Sequence, residues 1–281
     1  MGGCDRAVRT WVRKMDERMK LALIQSELIW GNVAENLRRL DEKMPACRGC
    51  DVVLLPEMFA SGGMVVKKSP EAAVAEKKSV ASRYEDVRRK MLEWAVQCDA
   101  VVAGSTVCEE NGRYYNRLVV AFPGGGYAYY DKRHCFRMGG ENEHFSSGDR
   151  RLTFEYKGVK IAVFVCYDMR FPVWCRNTEE YDIAVFVANW PKSRREVWKT
   201  LLKARAIENQ AFVAGVNCVG TDDNGVVYAG DSLVADARGQ VLGIAGECRE
   251  EVLVVDCDVA DLHDFRNKFS VLDDRDAFQI R

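Results

Sequence analysis

The chain has 281 residues, with 41 Lys and Arg against 42 Asp and Glu and a formal charge of -1, a balance that offers no overall field to nucleic acid or to an anionic membrane surface. Hydrophobic residues at 48% and charged residues at 30% exclude a disordered chain. Eleven cysteines, an odd number without the regular spacing of a disulfide scaffold, point to reduced thiols and a cytosolic setting.

Residues 1–18 are too charged for a secretory signal and read as an N-terminal extension, separate from a single domain over 19–281. No apolar stretch is long enough for a membrane helix. The first strand is Leu21–Gln25, followed by a helix over Asn32–Lys43 with Val33, Leu37 and Leu40 on one face. Cys47 and Cys50 form an isolated CxxC. With three histidines in the chain and no second ligand pair, it gives neither a four-ligand metal site nor a redox motif. A short apolar strand, Val52–Leu55, comes next, then a helix over Val80–Gln97 carrying Tyr84, Val87, Met91, Trp94 and Ala95. Asn111-Gly112 joins Val101–Cys108 to Arg113–Phe122 as a hairpin. The run Val159–Val165 is a buried strand, as are Ile183–Val187 and Phe212–Val216. Between the last two, a helix is predicted over Ser193–Gln210, with Ser193 as N-cap and Val197, Leu201, Ala204 and Ile207 facing the core. A second hairpin turns at Asp236–Gly239, Val252–Val255 is the last strand, and the charged tail Asp258–Arg281 packs on the surface or on a partner subunit. Alternating strands and helices with two hairpins define an α/β chain with a mixed sheet.

Three chemically able side chains stand where apolar strands run out. Cys166 follows Val159–Val165, Glu57 follows Leu54-Leu55-Pro56, and Lys132 follows the aromatic run Tyr129-Tyr130-Asp131. Strand exits are where open α/β sheets hold their ligands. Individually, a buried structural thiol, a loop glutamate and a surface lysine are the ordinary readings. Together they supply a nucleophile, a base and a cation for an oxyanion.

The segments Leu54–Phe59, Tyr130–Phe136 and Val165–Pro172 occur in the order of the three motifs of the nitrilase superfamily of carbon–nitrogen hydrolases, which the chain resembles from about residue 20 to the late 260s. Ala188-Asn189-Trp190-Pro191 and Arg205–Asn209 look like later blocks of the same family. The resemblance implies a four-layer α-β-β-α sandwich and a homodimer or larger homo-oligomer. It also implies Cys166 as nucleophile, Glu57 as base, Lys132 and the Tyr167 N–H as oxyanion donors, and a second glutamate. Glu141 matches that second glutamate by its distance from Gly148, with Glu143 as the competitor.

Within the superfamily the likeness is greatest to the omega-amidases, which hydrolyse the amide of 2-oxoglutaramate or 2-oxosuccinamate; Asp131–Met138 and Cys166–Trp174 carry it, with Cys135 as a departure from the usual leucine. Such a substrate needs a cationic clamp for its far carboxylate. Arg170, Arg194, Arg133 and Arg137 are the candidates, and Phe59, Phe136 and Trp190 are expected to wall the pocket. No metal or cofactor is expected, and the partner is a small amide, not nucleic acid or membrane. The alternatives are hydrolysis of N-carbamoyl amides, simple amides or nitriles by the same residues, and a non-catalytic binding protein of the same fold.

Overall fold

The computed structural model describes residues 18–63 and 69–280. Its strands are β1 (Arg18–Gln25), β2 (Val52–Leu54), β3 (Val101–Glu110), β4 (Arg113–Ala121), β5 (Tyr127–Asp131), β6 (Leu152–Tyr156), β7 (Val159–Val165), β8 (Ile183–Ala188), β9 (Phe212–Asn217), β10 (Val219–Thr221), β11 (Val227–Ala229), β12 (Leu233–Ala235), β13 (Val241–Ile244) and β14 (Glu251–Asp258). The helices are α1 (Val33–Asp41), α2 (Pro70–Ala81), α3 (Tyr84–Cys98), α4 (Glu141–His144), α5 (Arg195–Asn209) and α6 (Val259–Lys268).

Two six-stranded sheets have the orders β14-β1-β2-β3-β4-β5 and β13-β12-β9-β8-β7-β6. Each has three central parallel strands, β1 to β3 and β7 to β9, flanked by antiparallel neighbours. The mixed sheet expected from the hairpins is therefore present twice. Side-chain alternation explains the layering. In β1, Met19, Leu21 and Leu23 enter one core with residues of the second sheet, whereas Ala22 and Ile24 enter another with side chains of α1 and α3. Trp198, Leu202 and Ala206 of α5 cover the outer side of the second sheet. The result is a helix–sheet–sheet–helix sandwich, whose inner strands are buried on both faces and so read as continuous apolar runs.

Helix ends follow local chemistry. Asn32 caps α1 by accepting from the Glu35 N–H at 3.1 Å, and α3 ends on Asp99 in the left-handed conformation. Three expectations need correction. Val80 belongs to α2, not to the helix that follows, because the chain breaks at Ser82-Arg83 before α3 begins. Ser193 is not an N-cap: it lies in a 3-10 turn, Lys192–Arg194, and α5 starts at Arg195 without a side-chain cap. The buried stripe of α5 is Trp198, Leu202, Arg205, Ala206 and Asn209, whereas Val197 and Ile207 are exposed. Buried polar anchors set that rotation, since Trp198 Nε1 donates to the Asp231 carbonyl at 2.9 Å and Arg205 to the Met169 carbonyl at 2.6 and 3.0 Å.

The extension expected over residues 1–18 lies outside the described residues except for Arg18, which is the first residue of β1. The tail does pack on the body: Leu262 of α6 is buried, and Arg266 ties α6 to Asp182 at 2.8 Å.

Candidate active site

Glu57, Lys132 and Cys166 lie just beyond the carboxyl ends of β2, β5 and β7. All three line one cavity of about 540 Å³. Two of these exits use backbone that side chains rarely adopt. Cys166 has φ +46° and Met58 has φ +49°, and such left-handed residues with a Cβ mark turns held by their surroundings. At the first exit, Met58 N donates to Ser105 Oγ at 2.9 Å and Phe59 N to the Ser105 carbonyl at 3.1 Å. That reversal sends Met58 to the cavity and Phe59 into the layer under α3, fully buried against Trp94 and beside Gly104. Phe59 therefore does not wall the pocket as expected.

The turn that carries Cys166 is braced by Asp168, itself fully buried. Its carboxylate accepts from Tyr130 OH at 2.7 Å, His134 N at 2.9 Å and Val165 N at 3.1 Å, and pairs with His134 Nδ1 at 2.8 Å. The turn after β7 is thus tied to the strand exit that carries Lys132. Below it, the Arg205 guanidinium holds the Met169 carbonyl.

Lys132, 2% exposed, sits between two carboxylates. Its Nζ lies 2.9 Å from Glu57 Oε1 and 2.9 and 2.8 Å from the two oxygens of Glu141. Burial alone would strip the proton from this ammonium, but Glu141 and Glu57 outweigh it and hold its pKa well above the usual lysine range. Glu141 is further fixed by Phe136 N at 2.6 Å, whereas Glu143 is exposed on α4; of the two, Glu141 is the glutamate on the lysine. Glu57 Oε2 accepts from Asn189 N at 3.0 Å.

The thiol of Cys166 behaves differently from a preformed thiolate. Burial, then the charge of Glu57, push its pKa well above the ordinary thiol value, and the opposing effect of Lys132 does not cancel them. The group rests as a neutral thiol within the electrostatic influence of the Glu57 carboxylate. The arrangement can pass a proton from sulfur to carboxylate as the sulfur attacks.

Of the expected binding residues, Phe136, Tyr167, Arg170 and Trp190 line the cavity, as does Arg194. The Arg170 guanidinium lies 5.0 Å from the Trp190 ring centre and that of Arg194 5.6 Å from Phe136. Among the described residues neither has a carboxylate partner. Arg133 instead donates to the Gly148 carbonyl at 3.0 Å, and neither it nor Arg137 reaches the cavity. The wall also contains residues that sequence reasoning passed over: Trp30, Met58, His144, Val226, Tyr228 and, between the two glutamates, Asn116. An asparagine inside a strand is unfavourable without a partner, and that was the signal available for Asn116.

The sequence and fold match known proteins over nearly the whole chain. Residues 20–267 match the carbon–nitrogen hydrolase family. The chain is 42% identical to the omega-amidase YafV of Escherichia coli K12, covering 93% of this chain and 98% of that one. It is 33% identical to the 2-oxoglutaramate amidase of Bacillus subtilis, over 90% and 96% of the two chains. A solved CN-hydrolase superfamily protein, XC1258 of Xanthomonas campestris with an arsenic adduct in its active site, superposes with a TM-score of 0.87 at 37% identity, over 94% of this chain and 99% of that one. The protein belongs to the carbon–nitrogen hydrolase family. It is an enzyme, a hydrolase of non-peptide carbon–nitrogen bonds similar to the omega-amidases.

Proposed function

We propose that this hydrolase releases ammonia from the terminal amide of a small 2-oxo dicarboxylic acid monoamide, 2-oxoglutaramate or 2-oxosuccinamate, through a thioester on Cys166. One observation carries the reading. A single cavity joins the Glu57–Lys132–Glu141 cluster and Cys166 to two guanidinium groups, Arg170 and Arg194, that no carboxylate compensates among the described residues. The names of the Escherichia coli and Bacillus subtilis relatives support the same substrate class.

In the first half-reaction Glu57 takes the thiol proton while the Cys166 sulfur bonds to the amide carbon. The oxygen that becomes negative is met by the Lys132 ammonium and the Tyr167 N–H, each such donor contributing about 3 kcal/mol to the barrier reduction. The tetrahedral adduct collapses, the C–N bond breaks, and Glu57 returns its proton to the leaving nitrogen as ammonia departs. In the second half-reaction Glu57 takes a proton from water, whose oxygen attacks the thioester carbon. The C–S bond then breaks, the sulfur recovers the proton from Glu57, and the dicarboxylic acid leaves. Glu141 keeps Lys132 charged and in place. No step calls for a metal or cofactor.

The substrate's far carboxylate docks on Arg170 and Arg194 in this reading, a charge-assisted contact suited to guanidinium. Replacing either by alanine is expected to raise KM for 2-oxoglutaramate about 10-fold or more while leaving KM for an uncharged short amide within about twofold; unchanged KM in both variants would move the carboxylate elsewhere. The overall test is ammonia release across short 2-oxo acid amides, glutamine, asparagine, N-carbamoyl amino acids and nitriles. The 2-oxo acid amides should lead by at least about 100-fold in kcat/KM. A carbamoyl compound or nitrile in first place would replace the assignment.

Two further expectations belong to this reading. The ten described cysteines are free and no described helix is long and apolar enough to cross a membrane, which supports a cytosolic enzyme. The exposed Val197 and Ile207 on α5 suit a homodimer contact, which light scattering would detect as twice the chain mass.

A further inference from the structure

Asn116 lies in β4 opposite Val107 of β3 and is 1% exposed. Its Nδ2 donates to Glu57 Oε1 at 2.8 Å and to Glu141 Oε1 at 3.2 Å. Those are the same two oxygens that Lys132 Nζ holds at 2.9 Å each. An amide and an ammonium thus bridge one pair of carboxylates and close a four-membered ring of side chains. The main chain joins in, because the Asn116 carbonyl accepts from Lys132 N at 3.0 Å.

The other end of the amide is left out of this arrangement. Asn116 Oδ1 is buried and has no hydrogen-bond partner among the described residues, an expense that a side chain kept only to fill space would not incur. Turning the amide over would set Oδ1 against two carboxylates, so the donor end fixes its orientation.

We infer that Asn116 is a positioning residue for the amide hydrolysis: a neutral donor that holds Glu57 and Glu141 together without adding a second positive charge. One ammonium for two carboxylates leaves the cluster with one uncompensated negative charge, which the thiol proton can then neutralise. A cation at position 116 would remove that capacity. With no donor there, each carboxylate loses a hydrogen bond that favours its charged form, and the proton affinity of the cluster rises although Lys132 remains. The groups acting on Glu57 are Lys132 from the end of β5, Glu141 from α4, Cys166 from the end of β7, and Cys218 and Tyr228 from around β10 and β11. Because these groups lie against one another, a pH profile reports on the set and not on one member.

The inference rests on Glu57 acting as the base in the proposed function, and the test separates the two. kcat and KM for 2-oxoglutaramate are measured across pH for the wild type, Cys166→Ala, Asn116→Ala, Asn116→Leu and Asn116→Asp, with folding followed by circular dichroism. Loss of a donor shared by two carboxylates should move the acid limb of kcat/KM to higher pH by about one unit. In the same variant kcat should fall by about 10- to 100-fold, with KM within about threefold. Asn116→Leu fills nearly the same volume without a donor and must show the same shift, so it carries the test where the alanine variant fails to fold. Asn116→Asp keeps the shape but adds a negative charge, and should be less active at neutral pH than Asn116→Ala. Acid limbs that superimpose on that of the wild type, or an Asn116→Asp enzyme as active as the wild type, overturn the inference alone. Turnover that survives Cys166→Ala overturns the proposed mechanism and this inference together.

Discussion

Replacing Cys166 by alanine should lower ammonia release by at least about 10⁴-fold, because in the proposed mechanism the sulfur carries the acyl group and its loss leaves only binding and oxyanion stabilisation. Folding should change little. The position tolerates a side chain at φ +46° already, and the turn is held by Asp168 and Arg205, neither of which bonds the sulfur. Unfolding free energy within about 1 kcal/mol of the wild type is the expected control. Turnover retained in this variant would reject the thioester. A second readout concerns the state of the thiol: burial and the charge of Glu57 hold it protonated well past the ordinary thiol pKa. Alkylation of Cys166, measured as the difference between wild type and the alanine variant, should therefore be slow at neutral pH and keep rising above pH ~8.5, the unperturbed value. A rate already level at neutral pH would mean a preformed thiolate and a different role for Glu57.

The legible part of the site was the part written along single strands. Cys166 and Glu57 follow apolar runs, and Lys132 follows the aromatic pair Tyr129-Tyr130 by way of Asp131, so their placement at sheet ends follows from local pattern. Their convergence does not, because strand order and sheet pairing are set by contacts far apart in sequence; the motif order supplied it by resemblance. Phe59 was misplaced because its neighbour Met58 takes a left-handed conformation, which reverses the side-chain direction that a continuing strand would give. The buried stripe of α5 lies about one residue out of phase with its apolar pattern. Hydrophobicity favoured Val197 and Ile207, but Trp198, Arg205 and Asn209 are buried through hydrogen bonds, which apolar periodicity does not register. Helix α2 escaped for a related reason: its Glu, Ala and Lys residues favour helix individually but present no apolar stripe to detect. Asn116 and Asn189 contribute through bonds to residues 59 and 132 positions away, distances over which spacing carries no information.

Lys132→Met should be the most damaging substitution to stability and activity together. Lysine and methionine are similar in length, so the volume is kept while the ammonium is lost. What remains is two carboxylates, Glu57 and Glu141, 6% exposed in the case of Glu57, sharing Asn116 and no cation. Removing one partner from a buried ion cluster costs about 3–5 kcal/mol, and loss of the oxyanion donor with disorder of the base should reduce kcat by at least about 10³-fold. The pH dependence follows from like charges brought together. In the variant the carboxylate pair favours a shared proton, a raised folded-state affinity whose stabilisation is present at low pH and lost as pH rises. The stability gap to the wild type should therefore narrow on going from neutral pH toward pH ~4.3, the unperturbed glutamate value. In the wild type the sign concerns lysine. Lys132 has its pKa raised in the folded state, so its contribution is complete below the unfolded value of ~10.4 and is lost only as pH climbs through the higher folded value. Urea denaturation of both proteins between acid and alkaline pH measures this directly. A constant gap across the acid range would mean that Glu57 and Glu141 separate when the ammonium is gone, and that Lys132 alone brings them together.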